Sequence, residues 1–325
     1  MAGKPDVYTR VTETIVEALE AGVKPWHKPW NAEHAAGKIT RPLRGTGEAY
    51  QGINVLMLWS EAFDKGYSAP IWMTFRQAKE LNATVRKGEK GTMVVYANKL
   101  TVKETNDETG EDEERKIPFM KAYTVFNVEQ IDGLPEHFYA SAEGPKIEAS
   151  ERLSIAEAFI TATGADIQHG GNRAFYTLDQ DRIRLPHFEF FEDPQSYYST
   201  AIHELTHWTR HPSRLDRDLG RKKWGDEGYA MEELVAELGS AFLCADLGIT
   251  PETREDHAAY IDNWLRVLKQ DKRAIFNAAA HAQRAADYLH DLQSEPPVAK
   301  PEPSASQAPE PAAQEQSGQL LFSLE

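Results

Sequence analysis

The chain of 325 residues has one cysteine, Cys244, which excludes an intrachain disulfide framework and a cysteine-rich zinc finger. Cys244 lies in an apolar helical pattern and is expected to be a small buried side chain. Long apolar runs are lacking as well. The stretch MAGKPDVYTRVTETIVEALEAG interrupts its apolar positions with charges every few residues, so neither a signal peptide nor a membrane span is expected, and the reading is a cytoplasmic protein with no membrane partner. Net positive charge is absent too: 36 Lys and Arg stand against 51 Asp and Glu, a formal charge of -15. The chain as a whole repels polyanions, and any nucleic-acid surface must be a local basic patch. No internal repeat is present.

With 41% hydrophobic and 27% charged residues, the apolar material suffices for one large or two ordinary domains, and two is the expectation. Val7, Val11, Ile15 and Leu19 recur at helical spacing, and Gly22 ends that run. A loop rich in Pro, Gly, Trp and basic residues follows. Then come a helix over YQGINVLMLWSEAFDKG, a short strand at Ile71 to Met73 and a helix capped by Thr74. GTMVVYANKLTV and FMKAYTVFNV read as strands, with the acidic run Glu104 to Glu114 between them at a solvated, mobile hairpin tip.

DGLPEHFYASAEGPKIEAS has turn formers without periodicity and marks a domain boundary. Beyond it the pattern predicts a helix from about Glu151 to Gly164 and two short strands around RAFYTL and DRIRLP. Helices over the HExxH segment and YAMEELVAELGSAFLCADLG follow, with two more ending near Leu292. The expected fold class is α+β in two domains. Residues 1–135 form a small mixed α/β domain, 136–150 a linker and 151–293 a mostly helical domain. Residues 294–325, rich in Pro, Ala, Glu and Gln, read as a disordered tail with a terminal apolar motif.

STAIHELTHWTRHP sets His203, Glu204 and His207 in the order HExxH. Residues four apart on a helix share a face, so two imidazoles can reach one ion. Asp193-Pro194 supplies a cap and a first-turn proline, which puts the motif on a helix whose apolar stripe runs through Tyr198, Ile202, Leu205 and Thr209. A hydrolytic zinc needs a third protein ligand and an open position. Glu232, Glu233 and Glu237 follow on the next helix. Glu233 and Glu237 lie a turn apart on one face, while Glu232 is rotated away by about 100°. The expectation is therefore Glu233 as ligand and Glu237 hydrogen-bonded to the back of a ligating histidine. Glu204 is placed to take a proton from a metal-bound water. The cofactor expected is about one zinc per chain, another divalent metal being the alternative.

His211 continues the spacing, but Pro212 follows it, so a helix-end, ligand-supporting or substrate-contact role is expected. DRIRLP is expected at a sheet edge, where it could align an extended peptide. Single strands of nucleic acid are held by basic grooves interleaved with aromatics. Lys24, Trp26, Lys28, Trp30, Lys38, Arg41 and Arg44 offer that mixture in one loop, and Arg86, Lys87 and Lys90 form a second basic cluster. Tryptophan beside proline also anchors loops to a core, so composition leaves both roles open.

With these residues in hand, the chain resembles the plasmid- and phage-borne antirestriction proteins of the ArdC type from about Val7 to Leu247. GGNRAFY, HELTHWTRHPSRL and EELVAEL resemble the family's zincin-like metallopeptidase domain. That resemblance implies His203, His207 and Glu233 as ligands and Glu204 as the catalytic glutamate. WTRH departs from the family's more usual Gly before the last His. PWHKPW, YQGIN, GYSAPIWMTFRQAKEL, VRKGEKGT and YTVFNVEQIDGLP are similar to its single-stranded-DNA-binding domain. NATVRKGEKG has Asn-Ala where a Gly pair is commoner, a loop change. The resemblance implies protection of incoming single-stranded DNA in a bacterial host, and leaves the protein substrate unidentified. Two functions remain in view: a DNA-binding protein with an active zinc peptidase, or a non-catalytic single-strand shield in which the metal is structural. QLLFSL, Gln319 to Leu324, resembles the short peptides by which bacterial proteins dock on the sliding clamp.

Overall fold

Helix α1 (Val7–Glu20) starts where Asp6 accepts a hydrogen bond from the Thr9 amide at 3.0 Å, and it buries Val11, Ile15 and Leu19 on one face. It is the first element of a computed structural model that describes residues 6–26, 40–105, 112–139, 149–220, 226–249 and 257–293. Lys28, Trp30, Lys38, the tail 294–325 and the expected clamp-docking segment Gln319 to Leu324 lie outside the described residues.

Strand β1 (Leu43–Arg44) leads to α2 (Ile53–Lys65), which ends at Gly66 in the left-handed conformation that glycine adopts without strain. Next are β2 (Ile71–Met73), α3 (Phe75–Glu80) and β3 (Thr84–Val85). Thr74 and Gln77 close a capping box at the start of α3. The long strands β4 (Thr92–Thr105) and β5 (Asp112–Asn127) pair antiparallel from Thr92↔Val125 to Thr105↔Asp112. The sheet order is β1-β2-β5-β4, and β3 pairs separately with β6 (Ile131–Asp132).

Helix α4 (Glu136–Tyr139) and the first residues of α5 (Ala149–Ala162) fall inside the expected linker. A second sheet follows from β7 (Asp166–His169), β8 (Phe175–Thr177) and β9 (Arg182–Leu185), in the order β7-β9-β8. DRIRLP is therefore a central strand and not an edge. The half-polar β7 went unread in the sequence, and it occupies the side of β9 that β8 leaves open. Helices α6 (Pro194–Trp208), α7 (Glu227–Leu247), α8 (His257–Gln270) and α9 (Ala274–Asp291) complete the described fold. Among the described residues no helix is long and apolar enough to cross a membrane.

The N- and C-terminal segments share one continuous core. Val11, Ile15 and Leu56 belong to the same buried cluster as Phe242, Trp264 and Ile275. Polar ties cross the same boundary: Thr12 Oγ1 donates to the Lys272 carbonyl at 2.8 Å, and the Gly52 amide donates to Gln283 Oε1 at 3.1 Å. Arg41 donates to Gln283 Oε1 at 3.0 Å and pairs with Asp246 at 2.7 Å.

Helices α6 and α7 approach closely at Gly239. A Cβ there would lie 2.6 Å from Thr206 Cγ2, on a β-branched side chain that is fully buried. Gly239→Ala is therefore expected to push the helices apart and to cost about 1–3 kcal/mol of stability. Thermal melts check this directly; an unchanged melting temperature would show that the interface can relax.

Candidate metal centre

Asp193 caps α6 by accepting from the Ser196 amide at 2.8 Å, with Pro194 in the first turn. From Ser196 to Trp208 every residue of this helix is buried, so the expected apolar stripe is in fact a core helix covered on all sides. Histidine and glutamate in such a place require compensation. Helix α7, capped by Asp226 through the Tyr229 amide at 2.7 Å, brings it.

His203, His207 and Glu233 each offer a ligand atom, and these atoms all lie within 4.8 Å of one another. His203 Nε2 stands 3.8 Å from Glu233 Oε2, and His207 Nε2 stands 3.6 Å from Glu233 Oε1. These separations exceed hydrogen-bond lengths and suit atoms that share an ion between them. His203 Nε2 is buried and makes no hydrogen bond, which leaves this nitrogen, one of the clustered ligand atoms, available to an ion. The donor set of two imidazoles and one carboxylate fits a divalent metal. Glu204, next to His203, is also buried.

The back of His207 is held by Glu232, not by Glu237. His207 Nδ1 and Glu232 Oε1 are 3.1 Å apart. The two nitrogens of one imidazole point in different directions. With Nε2 aimed at Glu233, Nδ1 meets the carboxylate on the neighbouring facet of α7, and the rotation that argued against Glu232 is what places it there. Arg217 locks that carboxylate: its Nε donates to Glu232 Oε2 at 2.9 Å and its Nη2 to Oε1 at 2.8 Å. The same guanidinium donates to the Thr206 carbonyl at 2.9 Å and to Thr209 Oγ1 at 3.0 Å. Burial opposes ionisation of Glu232, but Arg217 and His207 hold its carboxyl down at about 2. Burial likewise opposes a charged His207, yet Glu233 and Glu232 outweigh it and push its pKa up to about 10. The pocket's electrostatics thus favour positive charge where the ligand atoms meet.

Glu237 is buried a turn beyond Glu233, and its charge acts on Lys24. His211 turns into the loop after α6, where its Nδ1 accepts from the Ser213 amide at 3.2 Å. It supports neither ligating histidine. Two residues went unforeseen in the sequence. Arg217 carries no motif signal. Tyr229, a turn before Glu233, has its hydroxyl 3.0 Å from that of Tyr260, and burial followed by the charge of Glu233 pushes its pKa up.

The described residues expected to face DNA divide into two groups. Lys24, Trp26 and Arg41 are buried and correct that expectation. Trp26 packs its edge on Trp264 with ring centroids 6.0 Å apart, and the Lys24 ammonium lies 5.9 Å from the Trp264 ring. Arg41 lies over Phe242 and pairs with Asp246. These side chains tie the N-terminal loop to α7 and α8, which is the anchoring role open to tryptophan beside proline. Arg44, Arg86, Lys87 and Lys90 are exposed; Arg44 pairs with Glu48 and Arg86 with Glu89.

An HExxH helix joined by a glutamate from the following helix, against a small sheet, defines a zincin-like metallopeptidase fold. Residues 154–281 match the family model described as zincin-like metallopeptidase, and residues 5–126 match the N-terminal domain of anti-restriction factor ArdC. The chain belongs to the ArdC family of antirestriction proteins. It is similar to the crystal structure of antirestriction protein ArdC from plasmid R388 in its metal-free form, with 47% identity, a TM-score of 0.74 and 89% of this chain and 98% of that one covered. The Mn(II)-bound structure of the R388 protein is similar at 44% identity and a TM-score of 0.73, covering 89% of this chain and 99% of that one. Protein y4eC of Sinorhizobium fredii (strain NBRC 101917 / NGR234) is 43% identical over 89% of this chain and 93% of its own length. A DNA primase TraC of Escherichia coli is 39% identical over 88% of this chain, which spans 27% of that larger protein.

Proposed function

We propose that this chain binds single-stranded DNA and hydrolyses a peptide bond of a protein partner at a divalent metal held by His203, His207 and Glu233, as an antirestriction protein acting in the cytoplasm of a bacterial host. The observation that carries the peptidase reading is the meeting of those three ligand atoms beside an intact Glu204. Two nitrogens and one oxygen favour zinc, and the Mn(II) of the R388 protein makes manganese the natural second metal to test. When bound, the ion supplies Lewis acidity and a water of lowered pKa. Glu204, next to His203 in the chain, would take the proton of the attacking water and pass it to the leaving amine. Glu232 holds His207 with Nδ1 protonated, leaving Nε2 as the ligand atom, and Arg217 fixes Glu232.

A second reading has its own support: His203, Glu204 and His207 are all buried, as the ligands of a structural ion would be. In that case the protein is a single-strand shield without catalysis. A structural ion needs no base, which favours the first reading.

Metal content by mass spectrometry tests the site. About one divalent ion per chain is expected in the wild type, and none in His203→Ala or Glu233→Ala. Wild-type protein that carries no ion after purification with zinc and manganese available would end the peptidase reading. Retention of full metal by both variants would move the site elsewhere.

A further inference from the structure

Burial of Lys24, Trp26 and Arg41 removes these three side chains from a stacking surface, and among the described residues the β4–β5 hairpin offers another. Val94 pairs with Tyr123, Tyr96 with Lys121 and Asn98 with Phe119. Residues two apart on a strand, and their partners across the ladder, share one face. Tyr96, Asn98, Phe119, Lys121 and Tyr123 therefore stand on the same side of the hairpin. At its inner end this face is core: Val94 and Val125 are fully buried, and Tyr123 is half-buried. Outward of Tyr123 the face opens to solvent.

On that open part Tyr96 is 49% exposed, and its ring centroid lies 6.2 Å from that of Phe119. Asn98 Nδ2 donates to Tyr96 Oη at 2.6 Å and steadies the ring. The Lys121 ammonium sits 5.4 Å from the Phe119 ring centroid, and among the described residues it enters no ion pair. An aromatic pair with a cation at its rim is the combination that holds unpaired bases and their phosphates. At the inner end, Tyr123 and Arg44 both act electrostatically on Tyr50, and the Arg44 guanidinium lies 5.5 Å from the ring centroid of Tyr50.

We propose that Tyr96 and Phe119 form the base-stacking platform for single-stranded DNA, with Lys121 meeting the phosphates beside it. The proposal rests on the DNA-binding reading above and gives it a location on the protein. Phe119 to Tyr123 spans about 13 Å of strand, room for a few stacked bases.

The test is fluorescence anisotropy of a labelled 20-nucleotide oligo-dT with full-length protein over a range of salt. Tyr96→Ala and Phe119→Ala should each weaken binding by about tenfold, whereas Tyr96→Phe, which keeps the ring face, should stay within about twofold. Lys121→Ala should lower the slope of log affinity against log salt by about 0.7. Circular dichroism and metal content should be unchanged in all four variants. Wild-type affinity in the two alanine ring variants would overturn the platform while leaving DNA binding intact. Tighter binding of the matching duplex or of oligo-U RNA would overturn the assignment to single-stranded DNA. Failure of the wild type itself to bind oligo-dT would defeat the DNA-binding reading as a whole.

Discussion

Glu204→Gln is expected to retain its metal and its affinity for oligo-dT while losing about 10²- to 10⁴-fold in peptide hydrolysis. The substitution is nearly isosteric, and it leaves the three ligand side chains untouched. What it removes is a carboxylate able to hold a proton between attack on the peptide carbonyl and departure of the amine. A buried base makes the contrast sharp, because bulk water has little access to replace it. Turnover of unfolded casein and of a peptide library read by mass spectrometry, with and without oligo-dT, measures the effect. A Gln variant that cuts as fast as wild type would remove Glu204 from the chemistry. Metal-loaded wild type that cuts none of these substrates, with DNA binding intact, would favour the single-strand shield.

Arg217→Met should be the most destabilising single change at the site. The side chains of Arg217 and Glu232 are each 1% exposed, and the guanidinium also satisfies the Thr206 carbonyl and Thr209 Oγ1. Deleting one partner of a buried ion pair strands the other charge, at a cost of about 3–5 kcal/mol. For a protein of this size that corresponds to a fall in melting temperature on the order of 10 °C. Glu232→Gln leaves the buried Arg217 charge without its counter-ion, yet its amide oxygen still accepts a hydrogen bond, so a smaller loss of stability is expected. It removes the charge but keeps an acceptor for His207, and should weaken metal binding by about 10- to 100-fold. Thermal melts and competitive chelator titrations separate the two effects. A melting temperature for Arg217→Met close to wild type would mean that water reaches Glu232 and that the clamp is unimportant to the fold.

Much of the site was legible because its signals are local. Asp193-Pro194 announces a helix start through chemistry within one turn, and the spacing of His203 and His207 places both imidazoles on one face. The glutamates of α7 were visible as a set, but their division of labour was not. Within α7 alone, Glu232 turns away from Glu233. Only the placement of the His207 ring between the helices shows that one nitrogen needs each of them. Arg217 stayed invisible for the same reason, since nothing near it in sequence says that its partner is Glu232.

The N-terminal half shows where composition misleads. Lys24, Trp26 and Arg41 have the residue types of a nucleic-acid loop, yet their neighbours are Trp264, Phe242 and Asp246, far along the chain. The short β7, with little apolar alternation, moved DRIRLP from an edge to the centre of its sheet.

By itself, the sequence determined the α+β class, most helix starts and ends, the HExxH spacing and the residues able to bind a metal. These depend on periodicity, caps and side-chain chemistry acting over a few residues. Tertiary structure alone decided which carboxylate meets which imidazole nitrogen, which basic residues stay at the surface, and which aromatic ring pair remains open to solvent. Those outcomes depend on contacts between segments distant in sequence, whose partners are set by packing around the shared core.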